Sequence, residues 1–364
     1  MSARDIRRQA GQIAIAGFAG PSIPDDLRRL AREFDLGGVI FFARNIEEPE
    51  QVAELAREAQ ALARETPLWV SVDQEGGRVA RLRRGFTEWP PMVTLGRSGD
   101  ERLAERFARA LASELKAVGI SLDYTPVLDV HTNPANPVIG DRALADRAEE
   151  VARLGAVIVR TLQQEGIAAC GKHFPGHGDT STDSHHELPV VEHDPDRLRA
   201  VELVPFAAAI AANVASIMTA HILVPALDED RPATLSPAIV DGLLKKSLGY
   251  GGLVLSDDLE MKAISGRYGQ AEATVAAVAA GCDAVLMCAP DQEAQAAAIE
   301  AVIHAVEEER LPAARVEDAL ARHRRVKARF LAGPRRPPAS GAALRAQLAT
   351  EEHLAVAAEM ARFR

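Results

Sequence analysis

Eight short apolar runs, each giving way to a longer amphipathic stretch, constrain the fold of this chain more than any other feature of its sequence. The runs occupy residues 12–18, 38–42, 68–72, 122–130, 167–173, 216–221, 252–256 and 284–288. Helical periodicity covers 49–65, 100–117, 146–165, 196–212, 236–248 and 270–280 between them. Strand then helix, repeated eightfold, predicts an α/β fold: a single closed (β/α)8 barrel of the TIM type rather than an open doubly wound sheet. Two more helices, 291–309 and 313–330, follow the eighth run. The turn-rich stretch 333–341 then breaks the pattern before a last helix over 342–362. A lone helix of about 20 residues builds no core of its own. The expected division is therefore a barrel over 1–332, with 333–364 forming a linker and a helix docked on it.

Composition narrows the function. The formal charge of −10 and the lack of a Lys/Arg run with interleaved aromatics argue against a nucleic-acid partner. No stretch of eighteen apolar residues is present to span a membrane. Arg7 and Arg8 before the apolar segment 13–18 superficially resemble a secretory leader, but the segment is too short and glycine-rich, and it fits a first strand better. Cys170, Cys282 and Cys288 each sit in or beside a predicted strand, as buried thiols do in a reducing compartment. The expectation is a cytoplasmic chain that needs no cofactor or metal, with the oligomeric state not readable from the sequence and a monomer favoured.

In a parallel barrel the loops after the strands converge on one face, and catalytic groups come from the ends of several strands. Asp73 follows the third predicted strand, Asp129 closes the fourth, Lys172 and His173 the fifth and His221 the sixth, while Asp257 and Asp258 end the seventh. Taken singly, each has an ordinary structural reading, as a capping aspartate or a core histidine. Gathered in one barrel mouth, ionisable groups cost desolvation energy unless they are paired or used. The densest stretch, 172–185, adds His177, Asp179, Asp183 and His185.

That stretch carries a resemblance. Lys172-His173-Phe174-Pro175-Gly176-His177-Gly178, followed by Asp183-Ser184-His185, resembles the signature of the bacterial β-N-acetylglucosaminidase (β-hexosaminidase) branch of glycoside hydrolase family 3, enzymes of peptidoglycan recycling. Residues 72–82 resemble the family's substrate-pocket segment, 126–130 its fourth strand and 255–261 its nucleophile segment, in the family's order and over about residues 10–330. The resemblance implies removal of terminal non-reducing β-linked N-acetylglucosamine, with retention of configuration, from N-acetylglucosaminyl anhydro-muropeptides. Asp257 matches the nucleophile, and consecutive strand residues point opposite ways, which favours it over Asp258. His185 matches the acid/base, with Asp183 two residues before it as the orienting carboxylate. An imidazole, with an unperturbed pKa of about 6.5, protonates and deprotonates near neutral pH with little tuning. Asp73, Arg81, Arg142, Lys172 and His173 match sugar-binding groups, with Arg78 and Arg83 as near neighbours of Arg81. Trp69, Trp89, Tyr124, Tyr250 and Tyr268 are the only aromatics other than phenylalanine, too few to pave a long cleft, so an exo-acting pocket is expected.

Other readings of the same residues stand beside this one. His173, His177, Asp179 and His185, with Asp183 and His186 nearby, could hold a divalent metal in a barrel hydrolase. Against it, histidines four apart converge on a metal most readily from a helix, and Pro175, Gly176 and Gly178 predict a loop. An inert sugar-binding barrel would have no use for the Asp183, His185 and Asp257 set. Histidine repels an incoming phosphate less than a carboxylate does, so phosphate rather than water could open the intermediate.

Overall fold

A computed structural model describes residues 3–184, 187–332 and 340–364. Eight parallel strands form a closed barrel: β1 (Ala14–Ala16), β2 (Gly38–Phe41), β3 (Trp69–Val72), β4 (Leu122–Asp123), β5 (Ala168–Phe174), β6 (Ser216–Thr219), β7 (Leu253–Asp258) and β8 (Ala284–Met287). Each pairs with its neighbour in sequence, and β8 closes onto β1. The strands are buried on both faces. Ile15, Ile40, Trp69, Leu122, Cys170, Met218, Leu255 and Leu286 fill the barrel, while Val39, Val70, Ala169, Ile217, Val254 and Val285 pack under the surrounding helices. That two-sided burial is why the runs read as nearly continuous apolar segments. At the end of the barrel where the strands begin, helix Ala313–Phe330 closes the interior, with Phe330 against Trp69 at a ring separation of 6.4 Å.

Several boundaries differ from expectation, each for a local reason. The fourth strand stops at Asp123 instead of running to 130, because Pro126 supplies no N–H to the ladder; beyond it a single bridge joins Val127 to Lys172. Gln12 and Ile13 belong to the 3-10 turn Ala10–Ile13 ahead of β1, where the Gln12 side chain bonds the Asp35 and Leu36 carbonyls. The helix expected over 196–212 is two, Pro195–Ala200 and Val204–Ala211, with Pro205 in the first turn of the second. The last helix is also two, Gly341–Arg345 and Glu351–Met360. Between these, Ala349 adopts a positive φ of 44°, and the Thr350 hydroxyl caps the second helix by accepting from His353 N. Leu344, Leu348, Val356 and Met360 join the main core, and buried Glu114 of helix Glu101–Ala117 accepts from Ala349 N and pairs with His353. The three cysteines are free and buried. Among the described residues no helix is long and apolar enough to cross a membrane.

Candidate active site

A cavity of about 260 Å³ opens where the strands end, just below the ~300–1,000 Å³ of pockets for drug-sized ligands and suited to one sugar ring. Asp73, Arg81, Arg142, Lys172, His173, Asp183 and Asp257 all line it, together with Phe42, Met218, Leu286 and Cys288. His185 and His186 lie outside the described residues.

One wall is a short antiparallel hairpin, Gln74–Gly76 with Val79–Ala80, inserted directly after β3. Gly76 and Gly77 make its turn with φ of 117° and 55°, and a Cβ on Gly76 would sit 2.7 Å from the Pro90 carbonyl oxygen. Gln74 closes the hairpin: its amide N–H donates to Asp123 Oδ1, and its side-chain oxygen accepts from Arg81 N and Leu82 N. The result is that Asp73 and Glu75, two residues apart, both reach the Lys172 ammonium. Its Nζ lies 2.7 Å from Asp73 Oδ1 and 2.7 Å from Glu75 Oε1. Arg142, in the turn Gly140–Arg142, grips Glu75 with two bonds of 2.9 and 2.8 Å. Burial opposes ionisation of Glu75, yet Arg142 and Lys172 hold its carboxyl far below the usual range. Lys172 is correspondingly raised: burial works against its charge, and Asp73 and Glu75 overcome that. Arg81 stands 3.6 Å from Asp73 and over the Phe42 ring; its Nε is buried without a hydrogen-bond partner among the described residues. Arg78 also lines the cavity, but it is tied to Asp141 and to the Val138 and Ile139 carbonyls.

His173 is oriented from behind. Asp129, fully buried, accepts from the ring Nδ1–H at 2.7 Å and from the backbone amides of His173 and His177. A carboxylate only accepts, so Nδ1 carries a proton, and Nε2 has no hydrogen-bond partner among the described residues. Lys172 and His173 are neighbours in sequence yet both face the cavity. Between the pairs Lys172↔Met218 and Phe174↔Thr219 the β5 register slips by one residue, which is the local bend that turns a second side chain inward.

The match to known proteins follows this geometry. The glycosyl hydrolase family 3 N-terminal domain matches residues 6–326. A β-hexosaminidase of Thiobacillus denitrificans is 41% identical over 276 residues, 74% of this chain and 76% of that protein. Among solved structures, a glycoside hydrolase family 3 β-N-acetylglucosaminidase from Paenibacillus sp. is 44% identical with a TM-score of 0.93, covering 98% of this chain and 68% of that one. NagZ from Neisseria gonorrhoeae, in complex with N-trifluoroacetyl-D-glucosamine, is 31% identical with a TM-score of 0.77, covering 96% and 97%. The chain belongs to glycosyl hydrolase family 3.

This family 3 glycoside hydrolase departs from expectation at Asp258. The alternation of a strand would turn that side chain away from Asp257, but both line the cavity. A one-residue slip against β8, between Ala284↔Leu255 and Leu286↔Asp258, supplies the reason. Their environments then separate them. Burial works against charge on Asp257, but the His221 and His173 rings, the Asp258 amide and Lys172 hold its pKa below the ordinary carboxylate value. Asp258 is pushed up to about 7 by burial and then by the nearby Glu260 charge, while its Oδ1 accepts from the Glu260 and Cys288 amides. His221 supports this strand end, its Nε2 donating to the Asp258 carbonyl at 2.8 Å and its Nδ1 meeting the Thr234 hydroxyl.

The ring nitrogens of His177 are taken by Thr180 and Ser184, and Asp179 pairs with Thr132 and His193. Among the described residues no group of three His, Cys, Asp or Glu side chains is placed to hold a metal ion. Sequence reasoning missed Glu75 as a site residue, although its spacing of two from Asp73 on a strand-like segment was the signal for a shared face.

Proposed function

We propose that this enzyme is a retaining exo-β-N-acetylglucosaminidase, a β-N-acetylhexosaminidase that removes terminal non-reducing β-linked N-acetylglucosamine from peptidoglycan turnover fragments of the N-acetylglucosaminyl anhydro-muropeptide class. The observation that carries the reading is a carboxylate, Asp257, whose neighbours hold its pKa below the ordinary value, in a cavity sized for one sugar and shared with Asp73, Arg81, Arg142, Lys172 and His173. Asp257 attacks the anomeric carbon as the leaving oxygen takes a proton from His185, giving a glycosyl ester on Asp257. Neutral His185 then removes a proton from water, and the hydroxide so formed opens the ester and frees Asp257. Asp183 accepts the other ring N–H of His185, fixing its tautomer and stabilising the imidazolium. The assignment of His185 rests on its place in the family motif; Asp183 lines the cavity. Asp73, Arg81, Arg142, Lys172 and His173 bind the sugar through charged hydrogen bonds, stronger and more directional than neutral ones. With a substrate from cell-wall turnover, the enzyme works in the cytoplasm, as a monomer and without a cofactor.

The test is incubation with a 5-fluoro N-acetylglucosaminyl donor followed by peptide mapping. Label on Asp257 is expected. Label on Asp258 would move the nucleophile, and turnover without any label would overturn the covalent mechanism.

A further inference from the structure

We infer that His177 is a positioning residue, latching Ser184, the residue before His185, onto the segment that follows the nucleophile strand. The inference rests on the proposed acid/base role of His185. His177 does not contact the reacting bond in this scheme, yet it is buried, and three of its groups are committed. Its amide donates to Asp129 Oδ1 at 2.7 Å, the carboxylate that also orients His173. Its carbonyl accepts from the Asn136 amide at 2.9 Å and from the Thr180 hydroxyl at 3.1 Å. Its ring spans Thr180 Oγ1, 2.7 Å from Nδ1, and Ser184 Oγ, 3.2 Å from Nε2.

These bonds fix one proton arrangement. Thr180 gives its hydroxyl proton to the His177 carbonyl, so Nδ1–H donates to Thr180 and Nε2 accepts the Ser184 hydroxyl. That requires a neutral ring, and burial supplies it by lowering His177 to about 4. Ser184 is buried too, and its carbonyl accepts from Ala263 N at 3.1 Å. Ala263 lies in the short helix Lys262–Ser265, a few residues beyond Asp257. One chain of bonds therefore runs from the β4–β5 side of the barrel through His177 and Ser184 to the nucleophile's own segment. Gly178 allows the close approach on which it depends, since a Cβ there would fall 1.8 Å from the Val130 carbonyl oxygen. The arrangement holds the residue that precedes the proton donor in a fixed relation to the nucleophile, where a misplacement of about 1 Å costs on the order of 10²-fold in rate.

A general structural role and a latch for the acid differ in how they depend on the leaving group. A dinitrophenyl N-acetylglucosaminide departs without proton transfer, whereas a methylphenyl one needs it. For Ser184→Ala and His177→Ala we expect kcat/KM on the methylphenyl substrate to fall roughly 10- to 100-fold, within the ~10²–10⁴ that acid–base catalysis supplies. On the dinitrophenyl substrate the fall should stay within about threefold, with His177→Gln and Ser184→Thr recovering part of the loss. Should His177→Ala fail to fold, Ser184→Ala carries the comparison, with thermal unfolding measured for each variant. Equal losses on both substrates, or none on either, overturn the latch while leaving the glycosidase reading intact. A wild-type protein inert toward both glycosides would overturn that reading and the latch with it.

Discussion

Glu75 offers the sharpest test of how the cavity is held together. Its carboxylate is almost wholly buried and meets Lys172 Nζ at 2.7 Å and Arg142 at 2.8 and 2.9 Å. Glu75→Ala leaves Lys172 with Asp73 and leaves the Arg142 guanidinium with only the Val138 carbonyl among these partners. Removing one side of a buried pair strands the other charge, a loss of about 3–5 kcal/mol. Glu75→Gln keeps one acceptor oxygen and should lose about 1.5–3 kcal/mol, the worth of a charge-assisted bond. With an unfolding entropy of roughly 2.1 cal/mol/K per residue, the alanine variant of this 364-residue chain should melt about 4–7 °C lower. Activity should suffer more, because Arg142 and Lys172 both line the cavity; a displacement near 1 Å lowers kcat/KM on the order of 10²-fold. Differential scanning fluorimetry and initial rates on an aryl N-acetylglucosaminide measure both. A Tm within 1 °C of wild type, together with unchanged kcat/KM in Glu75→Ala, would refute the claim that this carboxylate organises the pocket.

Three further outcomes are expected. Asp258 is raised to about 7 in the fold against about 3.9 in an unfolded chain, so its contribution to stability is full below about pH 4 and lost as pH rises through 7. Asp258→Asn keeps an acceptor for the Glu260 and Cys288 amides, so it should raise the melting temperature relative to wild type at pH 8 and not at pH 4; an equal shift at both would contradict the assignment. Asp129→Asn weakens three bonds to the His173 and His177 positions and should raise KM roughly 10- to 100-fold if about 1.5–3 kcal/mol of charged hydrogen bonding is lost, at about 1.4 kcal/mol per factor of ten; an unchanged KM would count against orientation of His173 by Asp129. Gly178→Ala places a methyl against the Val130 carbonyl and should destabilise by about 1–3 kcal/mol, which chemical denaturation would read; a stable, fully active variant would show that the loop shifts freely.

The barrel was legible because two-sided burial and helix periodicity both leave their mark on local sequence. Two of the boundaries that failed did so where a proline overrode the pattern, at Pro126 after β4 and at Pro205 in the middle of an apolar helical stretch; the others failed at Gln12, whose side chain bonds distant carbonyls, and at Ala349, which takes a positive φ. Most of the cavity was legible as well, since a barrel carries every strand end to one face, and Asp73, Lys172, His173 and Asp257 could be placed by counting strands. Glu75 was not singled out, because its role depends on a hairpin closed by the Gln74 side chain and on a lysine 97 positions away in the chain.

The eightfold alternation, the parallel barrel that follows from it and the residue types at its mouth are all written in spacing along a few consecutive residues. Which side chains share the cavity, and in what state, is set instead by the packing of the folded chain. Register slips in β5 and β7 turn Lys172 with His173, and Asp257 with Asp258, to the same side, against the alternation that sequence spacing implies. Burial and charge from distant segments then give two adjacent aspartates opposite protonation tendencies. Both depend on pairing and desolvation between residues far apart in the chain, and local sequence does not encode those distances.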